Sequence, residues 1–179
     1  MSTSNDPANI TAAKAALALL RISPVAISSA SLMFSWAQDL FFSAFIHPNL
    51  AQVPNNPAGK LMPHYMPTIW TRGTPAILIS YPGVFALAMA NGYGAAKCSS
   101  LLAARLYLAG GLFSISHFYY GLRSKALTSA IGDPSDPGAK NENSIKAWLA
   151  MNFKRSLLVN VPAWLCLVAA TVVAVLEGI

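Results

Sequence analysis

Asp39 is the residue whose type and position first suggest chemistry, because it lies inside a long apolar segment, residues 22–46. An ionisable group in such a segment is energetically costly in a bilayer and is usually paired or functional. Helical periodicity places Asp39 on one face with Trp36, Ser43 and His47, at spacings of three, four and four residues. A desolvated carboxylate is a good proton acceptor, so this face is a candidate site of acid–base chemistry.

Polar side chains occur at a similar predicted depth in three further apolar segments. If the first helix ends near His47, Asp39 lies ~12 Å below that end at about 1.5 Å per residue. Tyr81, His117 and Asn160 fall within about two helical turns of the corresponding ends of the other segments. The opposite halves of the segments are mostly aliphatic. We therefore predict a pocket that opens toward one side of the membrane.

Each of these residues also has a purely structural interpretation. Asp39 could pair with Arg155 or Arg72 and fix helix packing. His47 could cap a helix end, and His117 could be a hydrogen-bonded core residue. The histidines lack the spacing of metal-ligand pairs, and no dinucleotide or phosphate-binding glycine motif is present. We expect neither a metal nor a cofactor.

Four apolar segments carry these groups: residues 22–46, 74–92, 101–120 and 156–176. Their lengths match the ~20 residues that a helix needs to cross a bilayer. Only 10% of the residues are charged, against roughly 25% in soluble domains. A soluble helical bundle would need polar helix faces, which the last two segments lack. The first segment is also longer than the ~7–15 residues of a signal-peptide core.

The sequence thus predicts an all-α bundle of four transmembrane helices, in a single integral membrane domain over residues 1–179. A long first loop, residues 47–73, and a long third loop, residues 121–155, are expected on the same side. These two loops hold most of the basic residues, which predicts a cytosolic location for them. The net charge of +6 is scattered over the helix ends, so we expect contact with membrane lipid and none with nucleic acid.

Two short motifs carry a resemblance to a known family. Trp70-Thr71-Arg72-Gly73 precedes the second segment, and a stretch that contains Trp148, Asn152 and Arg155 precedes the fourth. Together with the four-helix layout, these motifs resemble the anthrone-oxygenase-like family of small integral membrane proteins in fungal secondary metabolism. The resemblance implies a cofactor-independent oxygenase in the endoplasmic reticulum or another endomembrane. Its expected substrate is a small lipophilic aromatic polyketide of the anthrone type, and a homo-oligomer is left open.

This chemistry would need a base, a stabiliser for the enolate formed, and flat walls for an aromatic substrate. Asp39 or His47 would be the base, Arg72 and Arg155 the cationic stabilisers. The complete set of candidate catalytic residues is Asp39, His47, Arg72, Asn152 and Arg155. The candidate substrate-binding residues are Trp36, Trp70, Tyr81, His117 and Asn160.

Two other classes of function fit the same residues. A cyclase or isomerase of the same pathways would use the acid–base pocket without dioxygen. A noncatalytic scaffold, or a carrier of lipophilic ligands, would need Asp39 and Arg155 only as a structural ion pair.

Overall fold

The computed structural model describes residues 7–47, 57–135 and 139–178, and the regular elements within these ranges are all helical. The chain forms α1 (Pro7–Phe45), α2 (Pro57–Lys97), α3 (Leu101–Ile115), a 3₁₀ turn (Ser116–Tyr120), α4 (Gly121–Ile131), α5 (Ala139–Arg155), a π turn (Ser156–Asn160) and α6 (Val161–Leu176). The 3₁₀ turn joins α3 directly to α4, and the π turn joins α5 directly to α6. The described chain therefore has four long helical rods.

All four rods are long and apolar enough to cross a membrane: Thr11–Phe45, Leu61–Lys97, Leu101–Ile131 and Asn141–Leu176. The predicted all-α fold with four such helices is confirmed. Apolar segments of this length form helices because a helix satisfies all of its backbone hydrogen bonds internally.

The connecting segments are more helical than the sequence predicted. The first predicted loop is helical from Pro57 onward, and the third is helical over Gly121–Ile131 and Ala139–Arg155. Pro63 and Pro67, which belong to the predicted first loop, lie inside α2. Proline interrupts a helix by removing one backbone donor, and packing against neighbouring helices can offset that loss. Residues 48–56 and 136–138 of the two predicted loops lie outside the described ranges.

One end of the bundle is a tight apolar core formed by α2, α3 and α6. Its buried residues are small or aliphatic apart from Tyr107: Val84, Ala88, Ala95, Ala103, Tyr107, Leu167, Ala170 and Ala174. Gly110 of α3 lets α6 approach closely, since a Cβ added there would lie 2.8 Å from the Leu167 side chain. Small residues at a helix crossing are the usual means of close packing in membranes.

The other end of the bundle holds a second apolar cluster with larger side chains: Phe42, Met62, Met66, Ile131, Ile145, Trp148 and Met151. These residues come from the end of α1, the start of α2, the end of α4 and α5. The α1–α2 and α4–α5 connections therefore lie at the same end, as predicted. Between the two clusters lie the buried polar side chains of Ser35, His117, Asn152, Arg155 and Asn160.

Candidate active site

A hydroxyl on α1 connects the polar side chains at the level between the two clusters. The Ser35 Oγ lies 3.5 Å from Asn152 Oδ1, to which it donates. Three donors surround the same oxygen: Arg155 at 3.4 Å, Asn160 at 3.4 Å and Ser156 at 3.3 Å. Because a hydroxyl oxygen has two lone pairs, it can accept from two of them at a time. Ser35 thus holds α1 against α5 and the π turn.

Asp39 joins this network one helical turn farther along α1. Asn152 Nδ2 donates to Asp39 Oδ1 at 2.7 Å and to the Ser35 carbonyl at 3.2 Å. Arg155 donates to Asn152 Oδ1, so the fully buried amide of Asn152 bridges the carboxylate and the guanidinium. Within the described ranges Asp39 forms no direct ion pair. The direct Asp39–Arg155 contact considered from the sequence is replaced by this amide bridge.

Arg155 is a cation that is only 5% exposed. One terminal nitrogen donates to Asn152 and Ser35, whereas Nε is buried without an acceptor among the described residues. A buried donor on a cation is seldom left unpaired in a folded protein. An oxygen anion would be a strong partner for it, because charge-assisted hydrogen bonds are stronger than neutral ones.

His117 and Tyr81 form the other half of the polar level. Their rings stack with centroids 3.6 Å apart and planes inclined by 25°. His117 Nδ1 lies 3.3 Å from Asn160 Oδ1, so in this arrangement Nδ1 carries the proton and donates to the amide oxygen. The remaining ring nitrogen, Nε2, is then the basic one.

Both nonstandard turns of the fold occur at this level. The 3₁₀ turn carries His117 and the π turn carries Asn160. A π turn inserts one extra residue into a helix and is often found at functional sites. Arg155 directly precedes this turn and Asn160 is its last residue, and both reach Ser35.

A cavity of about 330 Å³ lies beside the polar level, between α2 and α4 with α5 behind. His117 and Arg155 supply polar groups to a wall that is otherwise mostly apolar. The lining residues are Gln38, Phe42, Met66, Ile69, Trp70, Gly73, Thr74, Ile77, Leu78, His117, Phe118, Gly121, Leu122, Ser124, Lys125, Thr128, Trp148 and Arg155. A volume above ~300 Å³ and an apolar wall with few polar groups are typical of small-molecule sites.

A second cavity of about 290 Å³ continues the first toward the end where the α1–α2 and α4–α5 connections lie. The two share Met66, Trp70, Lys125 and Thr128, and the second reaches Gly132 beyond the end of α4. A lipophilic molecule could therefore approach Arg155 from this end of the bundle.

Three fungal proteins resemble this chain over nearly their whole length. A probable epoxidase, scpX, of Mollisia scopiformis is 35% identical over 161 residues, which cover 87% of this chain and 96% of that protein. The chain belongs to this family of fungal epoxidases. The epoxidase pydX of an Acremonium species is 29% identical, and the epoxidase gkaX of Penicillium citrinum is 28% identical. Those two alignments cover 88% of this chain and 95% and 96% of the relatives.

No protein-family model and no solved structure matches the chain. The epoxidase names agree with the oxygenase class that the sequence predicted, because an epoxidase adds an oxygen atom to a carbon–carbon double bond.

In this member of the epoxidase family, the structure brings most of the predicted site residues together. Asp39, Asn152 and Arg155 form one hydrogen-bonded group with Asn160 through Ser35. The stacked pair of predicted substrate-binding residues, Tyr81 and His117, adjoins the group through Asn160. Trp70 lines the cavity.

Three predicted residues lie away from this group. Trp36 is 58% exposed on α1, Arg72 is exposed on α2, and His47 is exposed past the end of α1. The face assigned to α1 from periodicity differs from the buried one, which is centred on Ser28, Ser35 and Phe42. Asp39 lies at the edge of that buried face and is half-buried. The chemical roles suggested for Trp36, His47 and Arg72 stay predictions.

Sequence reasoning missed two residues that matter to the site. Ser35 precedes Asp39 by one helical turn, but α1 contains several serines and spacing alone does not separate them. Trp148 was noticed only as part of the family motif, although it lines the cavity and packs on Phe42, with ring centroids 4.6 Å apart. Trp148 precedes Arg155 by seven residues, which is close to two full helical turns. This spacing places the two residues on the same face of a helix and could have indicated that Trp148 belongs to the site.

Proposed function

We propose that the protein is a membrane-embedded epoxidase of fungal secondary metabolism, acting on a lipophilic unsaturated substrate of the aromatic polyketide, anthrone-like type. The observation that carries the proposal is the buried Arg155, whose Nε has no acceptor among the described residues and whose side chain lines an apolar cavity. Preorganised donors in a water-poor site stabilise a developing oxyanion strongly. An endomembrane location and independence of a cofactor follow from the resemblance to anthrone oxygenases.

His117 is the side chain best placed to accept the substrate proton. It lines the cavity, and its contact with Asn160 leaves Nε2 as the basic nitrogen. Asp39 does not line the cavity. Its carboxylate instead balances the charge of Arg155 through Asn152, and we assign it a positioning role. The structure thus favours His117 over the bases proposed from sequence, Asp39 and His47.

The reaction needs dioxygen and no added reductant. Nε2 of His117 takes an acidic proton from the substrate, and Arg155 stabilises the resulting enolate. The carbanion carbon forms a bond to dioxygen and becomes a peroxide. The outer peroxide oxygen adds to a neighbouring carbon–carbon double bond as the O–O bond breaks. The inner oxygen stays on the substrate and takes the proton back, so that both atoms of dioxygen are in the product.

The same peroxide explains the link to anthrone oxidation. Without a double bond in reach, the peroxide of an anthrone would lose water and give the quinone. Epoxidation and anthrone oxidation would therefore share their first two steps, deprotonation of the substrate and addition of dioxygen. This agrees both with the epoxidase relatives and with the resemblance to anthrone oxygenases.

Replacement of the proposed base tests this function. In His117→Phe, the aromatic ring that stacks on Tyr81 is kept and the basic nitrogen is lost. We expect oxygen uptake with an anthrone probe to fall by roughly 100-fold or more, the usual contribution of a general base. The measurement is oxygen consumption by the protein in lipid nanodiscs.

His64→Phe is the matched control, since His64 is exposed on α2 and does not line the cavity. Uptake by His117→Phe equal to that of the control would refute the assignment. A loss in His47→Phe instead would return the base to the end of α1. Proton exchange of the probe without oxygen consumption would indicate a cyclase or isomerase.

A further inference from the structure

Two side chains of α5 line the cavity and bear a buried donor without an acceptor in the described part of the chain. They are Arg155, through Nε, and Trp148, through Nε1. Trp148 is only 3% exposed. The other buried unpartnered side-chain atoms of the described residues belong to Ser100 and Asn141, which do not line this cavity.

The two donors lie on the same face of one helix. The Cα atoms of the two residues are seven positions apart, which is ~10 Å along the axis with almost no net rotation. Trp148 is the one nearer to the start of α5, and it clusters with Met66, which lines both cavities. The cavity wall is mostly apolar, with Ile69, Ile77 and Phe118 among its residues.

An indole N–H can donate but cannot accept, so only an acceptor satisfies it. Phe42 packs against the Trp148 ring and restricts the directions in which that ring can turn. A buried donor left without a partner is unfavourable and calls for an explanation. An oxygen of a ligand in the cavity would be such a partner once a small rotation of the ring exposes Nε1, which has almost no accessible surface in this structure.

We infer that the substrate carries two oxygen acceptors at opposite ends of a flat apolar skeleton, whose length is of the order of the two helical turns between Trp148 and Arg155. The oxygen that becomes anionic binds Arg155 in the deep part of the cavity. The second oxygen, of a ketone or other neutral acceptor, binds Nε1 of Trp148 toward the second cavity. This inference rests on the proposed function in that it takes the cavity as the substrate site.

A pair of probes tests the inference by binding alone. 4-Hydroxybiphenyl has one oxygen, and 4-acetyl-4′-hydroxybiphenyl has a ketone at the opposite end of the two rings. Their dissociation constants are measured under argon on the full-length protein in nanodiscs. We expect the ketone to bind about five- to tenfold more tightly, the effect of one added hydrogen bond to a buried donor.

Trp148→Phe keeps an aromatic ring against Phe42 and removes the donor. It should abolish the advantage of the ketone and leave the affinity for 4-hydroxybiphenyl within about twofold of the wild-type value. Trp164→Phe is the matched control, because that indole donates to Ser29 and does not line the cavity. The advantage of the ketone should survive in it.

Equal affinity of the two probes for the wild-type protein would overturn the inference, whatever the variants do. Equal weakening of both probes by Trp148→Phe would also overturn it, since the ring and not the donor would then matter. Because no oxygen is present, the result does not depend on turnover. A protein that prefers the ketone but consumes no oxygen would keep the two-acceptor site and refute the epoxidase.

Discussion

Ser35 shows at the scale of single residues how the site depends on a side chain with no chemistry of its own. Its hydroxyl donates to Asn152 and lies within reach of donors from Arg155, Ser156 and Asn160. Loss of the hydroxyl would leave those buried groups with fewer partners. The resulting loss of folding free energy is larger than the contribution of an exposed hydrogen bond. Ser35 is therefore expected to affect both stability and the position of Arg155.

Ser35→Ala should lower the free energy of unfolding by about 1–3 kcal/mol. Turnover should fall as well, because Arg155 loses one of its acceptors. The control is Ser43→Ala, since Ser43 is exposed and donates to the Leu40 carbonyl of its own helix. Thermal unfolding in detergent, followed by an activity assay, compares the two. Equal effects of the two substitutions would show that Ser35 is not the link between the helices.

The sequence predicted the charged and aromatic members of the site better than its small polar ones. Asp39 and Arg155 stand out because a charge near an apolar segment is costly. Ser35 does not stand out, since a serine in a helix can satisfy its hydroxyl on the preceding turn. Ser31 does so here, donating to the Ile27 carbonyl. Ser35 instead contacts α5 and the π turn. The spacing of residues within α1 cannot predict contacts with those other elements.

At the scale of helices, the site depends on where two rods depart from regular α geometry. The 3₁₀ turn places His117 and the π turn places Asn160 at the same level. Pro162, which lies in the first turn of α6 just after the π turn and lacks a backbone donor, is a sequence sign of that irregularity, whereas the residues of the 3₁₀ turn give little sign of it. The number of long helices was predictable since their apolar length exceeds the bilayer requirement.

The close crossing of α3 and α6 is needed to keep this level in register. A Cβ at Gly110 would lie 2.8 Å from Leu167 Cγ and 3.3 Å from the Ala163 carbonyl oxygen. Gly110→Ala should therefore destabilise the bundle by about 1–3 kcal/mol, the usual cost of overpacking. The measurement is the thermal unfolding midpoint in detergent.

Gly83→Ala is the control for helix propensity, because a Cβ at Gly83 of α2 would meet nothing within 4 Å. That variant should be neutral or more stable by up to ~1 kcal/mol. The second change Leu167→Ala, added to Gly110→Ala, should recover part of the lost stability. Equal midpoints for the two glycine variants would contradict the close crossing.

At the scale of the whole molecule, packing is uneven along the bundle. The core around Ala88 and Leu167 is close-packed, with a hollow of about 260 Å³ between α2 and α3 beside it, whereas the end built around Phe42 and Trp148 surrounds two adjoining cavities. The long side chains of the second cluster leave room that alanines and glycines close at the first. The sequence indicates this asymmetry, since polar residues gather in one half of the apolar segments. It did not predict that the segments around the cavities are themselves helical.

The central claim is that dioxygen is added to a substrate held beside Arg155. Its most direct test is mass spectrometry of the product formed under ¹⁸O₂ by the purified protein in nanodiscs, with an anthrone that carries an alkenyl group next to the reacting carbon. We predict an epoxide bearing ¹⁸O, formed at least ~100-fold more slowly by Arg155→Lys, which keeps the charge but loses the Nε donor. Lys154→Met, an exposed neighbour on α5, should react like the wild-type protein. A product without ¹⁸O, or equal rates for Arg155→Lys and the wild-type protein, would contradict the claim.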